Sequence, residues 1–168
     1  MIGSLFYVIY SIKKIISMAI RNGFFFITVF IISCTSKKPD NNLVDYKFLL
    51  MDTDRSFSKL SEQKGIKFAL IQFIDSKGVL LRPASIPIVG GQAINYISQL
   101  NDSSYTMTWE PKGANVALSG EMGYTYGVYS VKPNDKDTVL YGTYVSIWKQ
   151  QTDGKWKFVL QSQNEEIE

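Results

Sequence analysis

"MGYTYGVYSVKPNDKDTVLYGTYVSIWKQQTDGKWKFVLQSQ", Met122 to Gln163, sets aromatic and β-branched residues against small or polar ones at every second position, with turn formers interrupting twice. Period-two alternation with this composition reads as β-strands, because successive side chains of a strand point to opposite faces. The strands are "MGYTYGVYSV", "TVLYGTYVSIWKQ" and "KWKFVLQSQ". The last two are joined by "QTDG", whose Asp153 and Gly154 supply the backbone geometry of a tight turn. Two shorter extended pieces precede them, "YTMTWEP" ending at Pro111 and "NVALSG" ending at Gly120. Together they predict an antiparallel meander of four or five strands. Alternation places Met122, Tyr124, Tyr126 and Val128 on one face, with Gly123, Thr125, Gly127 and Tyr129 on the other. It likewise groups Tyr144 with Trp148, apart from Tyr141, Val145 and Ile147, and groups Trp156 with Phe158 and Leu160. Both faces are rich in apolar residues, so the sheet is expected to be covered on one side by helices and on the other by a second copy of the chain.

The preceding half has a different period. "NLVDYKFLLMDTDRSFSKLSEQKG" spaces Leu49, Leu50, Phe57 and Leu60 among charges and ends in Gly65, which predicts a helix over 44–64. "IKFALIQFI" predicts a short, mostly buried helix over 66–74, and "DSKG" a break. "VLLRP" reads as a short strand closed by Pro83, followed by an extended "IPIV" and a helix over 92–100. Helices first and strands afterwards make an α+β domain with the sheet curling around the helices.

At 168 residues, 45% hydrophobic and 14% aromatic, the chain suffices for one packed domain. Its formal charge of +3 comes from Lys13, Lys14 and Arg21, which precede Cys34 with no acid among them; the rest of the chain is neutral. A neutral body without a basic cluster leaves no footprint for a phosphate backbone, so no nucleic-acid partner is expected. "MAIRNGFFFITVFIISC", Met18 to Cys34, has a cationic start, an apolar run and a small residue before its cysteine, the build of a secretory signal. The apolar run from Phe24 to Ile32 falls short of the about 20 residues needed to span a bilayer. "IISC" resembles the lipobox of bacterial lipoproteins, which implies lipidation of Cys34, export to the cell envelope and a membrane anchor, with residues 35–44 as a polar tether and 45–168 as the domain. A start at Met18 fits this plan; a start at Met1 would let the two apolar runs act as a membrane anchor instead. With a single cysteine, a disulfide within the chain is excluded.

The order helix, helix, short strand, helix, long antiparallel strands resembles the nuclear transport factor 2-like superfamily, which includes proteins similar to ketosteroid isomerase and to polyketide cyclases of the SnoaL kind. "DRSFSKLSEQKGIKFAL", "VLLRP", "IVGGQAI", "TWEPKGANVALSGEMGYTYGVYSV" and "GTYVSIWKQQTDGKWKFVLQSQNE" more closely resemble a group of secreted or lipid-anchored bacterial members. The resemblance spans about residues 45–166 and implies a cone-shaped, curved antiparallel sheet wrapped around N-terminal helices, also described as cystatin-like. It further implies a pocket between sheet and helices, and dimers formed through the outer sheet face.

Chemistry in such a pocket is limited by composition. The chain has no histidine, which rules out a His base, a His-ligated metal and a Ser-His-Asp triad. With its one cysteine assigned to lipidation, a Cys nucleophile or zinc site is unavailable as well. No cofactor or metal is expected, and "VGGQ" lacks the length and lysine of a phosphate-binding loop. Carboxylates and tyrosines remain. Asp54, three residues before Phe57, shares its helix face and is the one weak catalytic candidate, a base with raised pKa; equally it reads as a solvated residue at the helix edge or as a partner for Arg82. Glu110, before Pro111, and Glu121, after Gly120, read as strand-end or turn residues. Tyr126, Tyr144, Trp109 and Gln161 are the expected ligand-binding residues, Gln161 as an amide that recognises by hydrogen bonds without moving protons. Three classes of function stay open: a non-catalytic domain binding a small apolar or amphipathic ligand, which is favoured; a surface interaction module without a ligand; and an isomerase- or hydratase-like enzyme using a carboxylate and a tyrosine.

Overall fold

The computed structural model describes residues 43–164, all within a compact unit spanning Asn41–Glu168. The expected signal segment, Cys34 and nearly all of the tether lie outside the described residues. Helix α1 occupies Leu43–Lys64, so the last two tether positions are already helical. Tyr46, Leu50, Asp54, Phe57 and Ser61 recur every three or four residues along it and form the face turned to the sheet. Gly65 ends the helix at φ +85°, and a side chain there would collide with the Asp102 carboxylate. That carboxylate accepts the Lys67 backbone N–H at 2.9 Å, satisfying an early donor of helix α2, Ile66–Phe73.

Strand β1, Ile74–Leu81, starts directly after α2. The "DSKG" break is therefore a register irregularity inside a strand: Ile74 pairs with Phe158 and pairing resumes at Val79 with Leu160. The two-residue β2, Ile88–Val89, and helix α3, Gly91–Ser98, complete the first half. The long strands are β3 (Tyr105–Val116), β4 (Met122–Pro133), β5 (Leu140–Gln150) and β6 (Trp156–Asn164). They form one curved sheet of order β2-β1-β6-β5-β4-β3, antiparallel throughout except for the parallel β1–β6 pair.

Two bulges change what alternation alone predicts. β3 runs unbroken through Pro111, with its irregularity between Pro111 and Gly113, instead of splitting into two strands. Proline is tolerated because β3 is an edge strand: Trp109, two residues earlier, sends its N–H away from β4 to the Ser58 hydroxyl, so Pro111 lacks only an outward donor. Glu110 accordingly stands within a strand and pairs with Arg55 at 3.1 Å, instead of ending the strand as expected. The second bulge, where Ile147 pairs with Leu160 but Trp148 with Phe158, moves Leu160 to the outer face and brings Gln161 inward opposite Ser146. Leu160 thus does not join Trp156 and Phe158.

Inside the curve, Phe57 is the hub of an aromatic cluster. Its ring lies 4.5 Å from Trp109, 4.7 Å from Phe73, 5.7 Å from Phe158 and 6.2 Å from Trp148. Tyr144 and Trp148 both face this core, as alternation predicts. No helix among the described residues is long and apolar enough to cross a membrane.

The buried carboxylate and a candidate ligand site

Asp54 has 0% of its surface exposed. It is neither a solvated edge residue nor a partner of Arg82: Oδ1 accepts the Trp109 Nε1–H and Oδ2 accepts the Tyr144 hydroxyl, both at 2.7 Å. The Thr125 hydroxyl contributes a further interaction and itself accepts the Trp148 Nε1–H at 2.8 Å. Tyr144 reaches Asp54 because Gly127 lies opposite it in the ladder. A Cβ at Gly127 would stand 2.9 Å from the Tyr144 ring and run into the Glu110 carbonyl. Burial pushes the Asp54 carboxyl above its ordinary value, against the hydrogen bonds that pull it down. Burial, then the neighbouring carboxylate, pushes the Tyr144 phenol far up, so the proton stays on the tyrosine. A general base needs a substrate atom at hydrogen-bond distance; here both oxygens are taken by the protein's own donors. The arrangement ties α1 to β3 and β5.

Gln161, 3% exposed, lies on the same inner face one strand away. Its Oε1 accepts the Arg82 Nη2–H at 2.9 Å, while Arg82 Nη1 donates to the Leu81 carbonyl at 3.0 Å. The Tyr96 and Tyr129 hydroxyls lie near the guanidinium. Burial lowers the Arg82 pKa, with the two tyrosines opposing it. Among the described residues the Gln161 Nε2 donates to no acceptor, and the buried Ser146 hydroxyl opposite Gln161 has no partner. A shallow cavity of about 340 Å³ opens beside this group, lined by Leu81, Arg82, Pro83 and Ser162–Asn164.

The expected ligand residues therefore separate. Trp109 and Tyr144 gather at Asp54, and Gln161 belongs with Arg82. Tyr126, 50% exposed, lies on the outer face with its ring over Gly113. Arg82 had entered the reading only as a possible partner of Asp54. Its signal was nonetheless available, as the only charged residue between Lys77 and Asp102. Among the described residues no cluster of His, Cys, Asp or Glu suits a metal ion.

No family model matches the chain by sequence, and no curated protein matches it significantly. Solved structures do. A ketosteroid isomerase-like protein from Erwinia carotovora atroseptica is similar over 75% of this chain and 97% of its own, with TM-score 0.56 at 13% identity. An NTF2-like protein with a cystatin-like fold from Novosphingobium aromaticivorans is similar over 74% of this chain and 84% of its own, with TM-score 0.59 at 12% identity. A putative ketosteroid isomerase from Parabacteroides distasonis is similar over 66% of this chain and 83% of its own, with TM-score 0.53 at 18% identity. With the helices, the curved six-stranded sheet and its strand order, these likenesses identify the fold of this chain as that of the nuclear transport factor 2-like superfamily.

Proposed function

We propose that the domain binds a small apolar or amphipathic ligand on the inner side of its sheet without catalysing a reaction, and that it is exported and anchored to a membrane through a lipidated Cys34. The observation carrying the binding reading lies on the inner face, where the buried Ser146 hydroxyl, opposite Gln161 in the ladder, has no hydrogen-bond partner among the described residues. Polar groups withdrawn from water without full pairing are costly, and a ligand that completes them recovers that cost. Thermal-shift and native mass-spectrometric screening of the mature chain against lipids and small metabolites is expected to find ligands that raise Tm; uniform silence would sink the binding reading. The mature mass is expected to begin at a diacylated Cys34, and a mass including earlier residues would refute the anchor.

The Asp54–Tyr144 bond is the one observation favouring an acid–base enzyme. Asp54→Asn separates the two: a binding domain keeps its ligands, whereas an enzyme using Asp54 loses turnover.

The outer face of β4 and β5 exposes Met122, Tyr124, Tyr126 and Tyr141 and carries an apolar groove of about 320 Å³ lined in part by Tyr124, Val145 and Ile147. This patch supports a homodimer joined face to face. Light scattering is expected to give twice the chain mass, and Tyr124→Lys with Tyr126→Lys is expected to give a monomer of nearly unchanged Tm; a wild-type monomer at high concentration overturns the dimer.

A further inference from the structure

Among the described residues, three of the four most exposed large apolar side chains are Leu118 at 81%, Phe48 at 63% and Val44 at 59%. All three stand at one end of the domain. Val44 and Phe48 belong to the first two turns of α1, together with the exposed Leu49. Helical side chains slant towards the N-terminus, so they lean towards that end. Leu118 is at the tip of the β3–β4 hairpin, where the Ala117 N–H donates to the Met122 carbonyl at 2.7 Å and the Gly120 N–H to the Ala117 carbonyl at 2.8 Å. The hairpin tip is seated against the start of α1: a Cβ on Gly120 would stand 3.3 Å from the Tyr46 ring, and one on Gly123 2.7 Å from Leu50.

The chain also enters the domain at this end. Only residues 35–42 separate Cys34 from Leu43, the first residue of α1. Fully extended, those residues span at most about 28 Å, less than the about 33 Å of α1 itself. An anchor at Cys34 therefore keeps the start of α1 within one domain length of the bilayer. We propose that this end, with Leu118, Phe48 and Val44 foremost, rests in the interfacial layer of the membrane that carries the anchor. This rests on the lipidated Cys34 proposed above and adds the orientation of the domain. Apolar side chains exposed to water are costly, and the boundary between headgroups and acyl chains removes them from it. The acyl chains already hold the protein, so a few side chains suffice to fix which end faces down. The strands of β3 and β4 then lead away from the bilayer, and the β4–β5 turn around Lys136 lies farthest from it.

Fluorescence quenching tests this on the mature, lipidated chain in vesicles of phosphatidylethanolamine and phosphatidylglycerol. With the Cys34 thiol taken up by lipid, an introduced cysteine is the one free thiol. Ser119→Cys beside Leu118, Asp45→Cys beside Val44 and Lys136→Cys at the far turn are all exposed positions and each takes a polarity-sensitive label. Lipids with a spin label shallow in the acyl chain are expected to quench the labels at 119 and 45 several-fold more than the label at 136, since interfacial side chains reach about 5–10 Å into the boundary. Adding Phe48→Ser and Leu118→Ser is expected to remove most of that difference with Tm unchanged, because both side chains are largely exposed. Equal quenching at the three positions, or a difference that survives the two serine substitutions, overturns the proposal. Labels at 119 and 45 that are shielded from aqueous iodide yet untouched by the lipid quencher overturn it as well, since a second copy then covers this end. The mass of the mature chain separates the two readings: no acyl groups on Cys34 refutes both, whereas an acylated chain with equal quenching refutes the orientation alone.

Discussion

Asp54→Ala is expected to lower the unfolding free energy by about 3–5 kcal/mol in urea titrations, among the largest effects of any single substitution in this chain. Truncation leaves the Trp109 indole N–H and the Tyr144 hydroxyl buried without their acceptor, and each such group costs about 1–3 kcal/mol; a cavity in the tightest part of the core adds to this. Asp54→Asn behaves differently. Its Oδ1 still accepts from Trp109, its amide donates to a Tyr144 hydroxyl turned to accept, and the variant is expected to match or exceed the wild type at neutral pH because no charge is buried. The two also differ in pH dependence. Since the folded state holds the Asp54 proton more tightly than the unfolded chain, the stability Asp54 contributes is fully present below its usual value of 3.8 and is lost as pH rises through the raised value. The difference between wild type and Asp54→Asn should therefore move in the wild type's favour on acidification through that window. A difference that stays flat with pH would show that Asp54 is not desolvated as described.

Trp148→Ala should cost a similar amount, about 3–5 kcal/mol. The residue has 0% exposure and its ring meets Phe57, Phe73 and Phe158 edge-on at 6.1–6.3 Å. Its indole N–H also holds the Thr125 hydroxyl that borders Asp54. Trp148→Phe keeps most of the packing and loses the hydrogen bond, and should fall clearly short of the alanine variant. Equal losses in the two would mean the N–H, and not the ring, supplies the effect.

Much of this arrangement was legible in the sequence. Period-two alternation in β4 and β5 was enough to group Tyr144 with Trp148 and Tyr124 with Tyr126, because neither strand is interrupted, but not to tell which group meets the helices: Tyr126, expected beside Tyr144 as a ligand residue, lies on the outer face. β6 was misread at Leu160 because a bulge changes parity, and a bulge depends on what the neighbouring strand offers, which no local pattern encodes. Asp54 was placed on the correct helix face, but its state was not. Burying a carboxylate takes donors, and its two come from residues 55 and 90 positions away. Arg82 was undervalued for the opposite reason: an isolated cation in an apolar run signals something only once the partners it lacks are known.

The hydroxyls of Ser58 and Ser61 on α1 take up the Trp109 N–H and the Met107 carbonyl on the free side of β3. The opposite margin of the sheet is β2, only two residues long. One margin is thus partly capped and the other cut short, which works against strand addition by another chain. Strand-by-strand addition of further copies, the route to a fibre, is therefore opposed at both margins by the fold itself.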